Sequence, residues 1–168
     1  DKKNIEFRAE SDRKLQTLIN NLQGIVYRCK NDSNWTMEYL SKGLEEITGY
    51  KIEDIINNNK LSFADIIVPE DRARVWDEIQ DSIKKKVPYT IKYNILTASN
   101  QVIHVLENGE AIYDNDTKEV IGLEGYISDN TSEVKVKEAL KGSEELIRSI
   151  THSAADAIVA INYEGKVF

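Results

Sequence analysis

Residues 89–128 read YTIKYNILTASNQVIHVLENGEAIYDNDTKEVIGLEGYIS. Tyr89 to Ala98 alternates, with Ile91, Tyr93 and Ile95 on one side and Lys92 and Asn94 on the other, the period of a half-buried strand. Ser99-Asn100 turns the chain. Val102 to Tyr113 is a second strand, where Ile103 and Val105 alternate with His104 and Leu106 and neither face is clearly polar. Asp114-Asn115-Asp116 turns again. Val120 to Ser128 is a third strand, with Leu123, Gly125 and Ile127 opposite Glu124. Three adjacent strands joined by short turns make an antiparallel meander.

Upstream, the period changes to that of helices. Pro69 stands at a first helical turn, with Glu70 and Asp71 on the positive end of the dipole. Val75, Ile79 and Ile83 step by four along one face, beside Trp76. Lys84-Lys85-Lys86 suits the negative end of that helix. Before it come short pieces: Ser62 to Ile67, Ile52 to Ile56, and a helix capped by Ser41 and ended by Gly49. Further back, Ile25 to Cys29 and Trp35 to Leu40 flank the turn cluster Asn31-Asp32-Ser33-Asn34 and predict a hairpin. Leu15, Leu18, Ile19 and Leu22 give residues ~4–22 an amphipathic helical stripe. Helices grouped between two sets of strands predict an α+β domain.

Downstream of Thr131 the pattern is helical again. Val136, Leu140, Ile147 and Ile150 fall on heptad a and d positions, with Ser143 filling one slot poorly. Gly142-Ser143 predicts an interruption. Ile158 to Ile161 predicts a new strand, Tyr163 to Lys166 a turn, and Val167-Phe168 another strand. A two-stranded ribbon is marginal alone, so this tail is expected to belong to a further domain.

Composition narrows the function. The 168 residues include 22 Lys and Arg against 29 Asp and Glu, a formal charge of −7. Such a surface repels phosphate backbones and argues against nucleic acid. Cys29 is the single cysteine, which excludes an internal disulfide and fits a reducing, cytoplasmic compartment. No apolar run approaches the ~20 residues of a membrane span. The start Asp1-Lys2-Lys3, without Met, reads as a piece of a longer protein whose membrane anchor, if any, would lie elsewhere.

In order and spacing these elements resemble the PAS family, within it the fold type 3 class with its PAC segment. The resemblance rests on Asn21 to Arg28, Ile47-Thr48-Gly49-Tyr50, Glu53-Asp54-Ile55, Val68-Pro69-Glu70-Asp71-Arg72 and Gly125 to Thr131, and covers about residues 21–131. It implies a five-stranded antiparallel sheet with short helices on one side, flanked by N- and C-terminal signalling helices. The implied organisation is a helix at 1–20, the sensor domain at 21–131, a linker helix at 132–153 and the start of a second such domain at 154–168. Asn130 replaces the usual Ile between Asp129 and Thr131. His104 stands where many relatives carry Trp, and Val68 where His often precedes the Pro.

The resemblance further implies a sensory input module, most often of a histidine kinase in a two-component system. Its ligand would lie between the sheet and the long helix, against Val75, Ile79, Ile91, Tyr93, Ile95, Leu123, Gly125 and Ile127. Asp129 and Thr131 would relay the signal to the following helix. Output would come from another domain of the same chain, and pairing of the helices would make a homodimer. The alternative is a ligand-free module for dimerisation and relay. The ligand is unknown. Haem is disfavoured because haem-binding relatives usually carry a His on the long helix and residues 70–86 hold none, and flavin photochemistry because it needs a Cys just before the long helix, within an Asn-Cys-Arg motif, whereas Cys29 lies on the first strand. The roles of His104 and Cys29 stay open. Two distant His and one Cys give no zinc spacing, and Asp114, Asp116 and Glu119 read as a solvated turn rather than a calcium site. No phosphate loop, dinucleotide fingerprint or catalytic triad is present, so this chain is not expected to be an enzyme.

Overall fold

The computed structural model describes the backbone of residues 2–164 and the side chains of residues 5–154. It divides into two compact units, Asp1–Asn130 and Thr131–Phe168.

The first unit opens with α1 (Lys2–Asn21) and the hairpin β1 (Ile25–Cys29) and β2 (Met37–Leu40). Four short helices follow: α2 (Gly43–Thr48), α3 (Ile52–Ile55), a 3-10 turn (Ile56–Asn58) and α4 (Phe63–Ile66). Then come the long α5 (Pro69–Lys85) and the meander β3 (Tyr89–Leu96), β4 (Val102–Tyr113) and β5 (Val120–Asp129). The five strands form one antiparallel sheet in the order β2-β1-β5-β4-β3. The meander therefore offers its β5 edge to the N-terminal hairpin, and Ile25, Tyr27 and Cys29 of β1 stand opposite Ile127, Gly125 and Leu123 of β5.

Alternation along the strands builds the core. Ile25, Tyr27, Cys29, Tyr89, Ile91, Tyr93, Ile95, Val105, Leu123 and Ile127 are buried on one sheet face. Leu44, Ile55, Phe63, Ile66, Val75 and Ile79 of the helices are buried with them. Each fully buried aliphatic side chain contributes about 1.5–3 kcal/mol. The start of α5 is tied to β3 by polar groups. Asn94 N–H donates to Asp71 Oδ2 (2.8 Å), and Arg74 donates to the Lys92 carbonyl (2.9 Å). Ile67, just before α5, makes a β-bridge with Ile95. The helix carries Glu70 and Asp71 in its first turn and Lys84 and Lys85 in its last, matching its dipole.

Several local expectations are corrected. Strand β2 begins at Met37, not Trp35, because the preceding turn is tightly bonded. Asp32 Oδ1 accepts from the N–H groups of Asn34 (3.1 Å) and Thr36 (3.0 Å), and Trp35 sits at φ 49°. Ser41 does not cap α2; its hydroxyl accepts from Val26 N–H (2.9 Å) and anchors the hairpin. In the second unit, α6 runs from Thr131 to Glu164 without a break at Gly142-Ser143, since one helical glycine costs only about 1 kcal/mol against alanine. Residues 158–161 are helix, not strand. A strand needs a ladder partner, the second unit has none among the described residues, and Ala154, Ala155, Ala157 and Ala160 favour helix. The turn expected at 163–166 is helix through Glu164, and Val167-Phe168 lies outside the described residues. Among the described residues no helix is long and apolar enough to cross a membrane.

Candidate functional site

One cross-strand row shapes the interior. Tyr27 of β1 faces Gly125 of β5, Gly125 faces Gly109 of β4, and Gly109 faces Tyr89 of β3. The two glycines leave the sheet bare between the two tyrosines. An added Cβ on Gly109 would lie 2.5 Å from Tyr89 Oη, and one on Gly125 2.7 Å from Tyr27 Oη. The rings lean inward over this gap from both sides, and their hydroxyls meet at 2.7 Å.

Glu107 stands two residues before Gly109 on β4, on the same inward face, and is only 5% exposed. Its Oε2 accepts from Tyr93 Oη at 2.6 Å, and its Oε1 accepts from Tyr27 Oη. Tyr27 in turn contacts Tyr89. Three phenols from two strands thus hold one buried carboxyl. Burial pushes the Glu107 carboxyl above the usual carboxylate range, against the tyrosine hydroxyls that favour its charged form. Burial and then the Glu107 charge push the Tyr27, Tyr89 and Tyr93 phenols up. Cys29 lies in the same interior, and burial, followed by the Glu107 charge, pushes its thiol up.

A cavity of about 10 Å³ lies between this cluster and α5, about the space of one water. Of the residues expected to line a ligand site, Val75, Ile79, Tyr93, Leu123 and Ile127 line it. Ile91 and Ile95 are buried in the surrounding core but do not line it, and Gly125 lies under the Tyr27 ring. The wall is completed by Tyr27, Cys29, Trp35, Met37, Phe63, Ile67 and Glu107. Glu107 is the polar group that sequence reasoning missed. Its signal was positional: it shares the parity of Ile103 and Val105 on a central strand, where a charged side chain is out of place.

Asp129 ends β5 opposite Val105, and Thr131 is the first residue of α6. Between them Asn130 is buried, and its N–H donates to the His104 carbonyl (2.8 Å). His104 Nδ1 contacts Asn94 Oδ1 across the β3–β4 pair, on the opposite parity to Glu107. Among the described residues no group of three or more His, Cys, Asp or Glu could hold a metal ion.

Comparison with known proteins agrees with this architecture. The chain is 24% identical over 147 residues to the methyl sulfide methyltransferase-associated sensor of Methanosarcina acetivorans; the match covers 87% of the chain but only 14% of that relative's length. A sensory box histidine kinase/response regulator structure from Burkholderia thailandensis superposes with a TM-score of 0.64 at 24% identity, covering 81% of this chain and 98% of that one. A PAS domain structure from Colwellia psychrerythraea gives 0.62 at 16% identity, covering 71% and 97%. The family model described as PAS fold matches residues 37–127. That match spans more than half of the chain, and the chain belongs to the PAS fold family.

Proposed function

We propose that this chain is the sensory input module of a multidomain signalling protein, a sensor histidine kinase being the output we favour. The observation that carries the reading is Glu107, a buried carboxyl ringed by tyrosine hydroxyls against a cavity between the sheet and α5. A polar cluster of this kind is costly beside an apolar core of equal volume, and its value lies in recognising something. Binding there would shift the sheet. The shift would pass along β5 through Asp129 and Thr131 into α6, biasing how that helix pairs. Exposed Val136, Leu140, Ile147 and Ile150 on α6, exposed Leu15 and Leu18 on α1, and exposed Leu22 just after it supply apolar surface for a homodimer. The module has no chemistry of its own, and it works in the cytoplasm, with any membrane anchor elsewhere in the full-length protein. The relative from Methanosarcina acetivorans is itself named a sensor, which supports this reading.

A ligand-free relay is the second reading. It is favoured by the cavity volume of about 10 Å³, far below the ~300–1,000 Å³ of ordinary ligand pockets. Native mass spectrometry of the purified chain, with an absorbance spectrum, separates the two. A retained small molecule released on denaturation supports the sensor. An empty chain that stays dimeric at low concentration supports the relay.

A further inference from the structure

The interior cavity has an outer neighbour. A surface groove of about 390 Å³ is lined by Ser33, Trp35, Ala64, Ile67, Arg72 and Trp76, among others. Trp35 and Ile67 line both spaces, so these two side chains are the partition between them. They are not held alike. Ile67 is pinned by its bridge to Ile95, and its carbonyl accepts from Arg72 Nε at 2.9 Å. Trp35 is outside any strand; its backbone, at φ 49° in the left-handed region, is held by its N–H donating to the Asp32 carbonyl (3.1 Å), and its 5%-exposed side chain is placed by packing. That backbone conformation is costly for a bulky residue and marks sites where structure is held for a purpose. Its indole leans on Trp76 with ring centroids 5.0 Å apart.

The chemistry at the inner end is one-sided. Among the described residues, the cavity wall carries one ionisable carboxyl and no Lys, Arg or His. A carboxylate offers about four acceptor positions. Tyr27 and Tyr93 each donate one bond to it, which leaves room for a further donor. The phenol oxygens are additional acceptors. Trp35, Phe63, Tyr27 and Tyr93 supply aromatic surface around the same space, and aromatic faces attract cations. An ammonium group is the size of a water, so the cavity of about 10 Å³ admits the head as it stands. The organic body then needs the volume that Trp35 fills.

We propose that the interior takes a small organic ammonium ion, its head on Glu107 and the two tyrosines, admitted from the outer groove when the Trp35 side chain swings aside. This inference rests on the sensor reading and adds to it the ligand's charge class and its port of entry. With Trp35 displaced, the groove and cavity merge into a space within the usual range for small-molecule sites. The ammonium would also supply the cationic partner that the Glu107 carboxyl lacks among the described residues of the cavity wall.

The test uses three molecules with one phenylethyl body and different heads: 2-phenylethylammonium, neutral 2-phenylethanol, which matches it in size, and the slightly larger anionic 3-phenylpropionate. Trp35 and Trp76 are the two tryptophans of the sequence, so intrinsic fluorescence reports the gate directly. The ammonium should bind saturably, about tenfold to a hundredfold more tightly than the alcohol, with the anion weakest. Glu107→Gln, followed by calorimetry, should bring ammonium and alcohol within about threefold of each other. Trp35→Ala should speed association of the ammonium without reversing the preference. The selectivity of the unaltered protein carries the test even where a variant fails to fold. Equal or tighter binding of the alcohol or the anion overturns the ammonium assignment and leaves the sensor reading standing. Binding of none of the three, with another molecule retained in native mass spectrometry, does the same. Binding of none with an empty interior overturns both.

Discussion

Gly109→Ala tests the glycine–tyrosine row. The new Cβ would lie 2.5 Å from Tyr89 Oη, 2.6 Å from Cζ and 2.7 Å from Cε2, where ordinary contact begins at 3.4 Å. The Tyr89 ring must therefore lift by about an ångström. It is 3% exposed and its hydroxyl is bonded to Tyr27 at 2.7 Å, so the lift has nowhere free to go. Overpacking of this sort costs about 1–3 kcal/mol, and the lost hydrogen bond about 1 kcal/mol more. The lower backbone entropy of alanine returns about 0.5–1 kcal/mol. The net expectation is a loss of about 2 kcal/mol, read as a lower urea midpoint with an unchanged slope. In a Tyr89→Leu background the clash is gone, and the same substitution should cost under about 0.5 kcal/mol. A double-mutant cycle that is additive within that margin would refute the reasoning, because the two residues would not then be in contact.

Glu107 should make stability depend on pH. Its folded-state pKa is raised, so the folded chain holds that proton more tightly than the unfolded one. The associated stability is fully present below the ordinary glutamate pKa of about 4.3 and is lost as pH rises through the raised value. Subtracting the melting profile of Glu107→Gln should isolate this decline; a flat difference would count against a buried carboxyl. Asp65 and Asp71 have lowered values, so their contribution has the opposite sign and is lost in acid. Cys29 is buried with its thiol pushed up, so iodoacetamide should label it slowly in the native chain and readily in urea; fast native labelling would show an open interior. Ser62→Ala should cost about 1 kcal/mol, because Ser62 and Asp65 form a capping box on α4; an unchanged melt would show that the cap is dispensable. Asp129→Ala should leave the melting midpoint nearly unchanged while altering hydrogen exchange at the start of α6, and unfolding of the variant would end the relay assignment.

The sheet, the long helix and the flanking helices were legible from sequence because each rests on local periodicity. Alternation marks Tyr89 to Ser128, Pro69 with Glu70 and Asp71 marks a helix start, and Leu15 to Leu22 marks an amphipathic stripe. Local pattern also explains the errors. Ser41 looks like a cap until the hairpin claims its hydroxyl, and residues 158–161 look like a strand until they are left without a ladder partner among the described residues. What sequence could not supply is which inward side chains meet. Tyr27, Tyr89 and Glu107 are separated by 62 and 80 residues from Tyr27 onward, and only the registers of β1 on β5, β5 on β4 and β4 on β3 bring them together. That register is fixed by the whole buried face rather than by any one segment. The chain determined its strands and helices locally; the polar cluster, the cavity beside it and the Trp35 partition are products of long-range pairing.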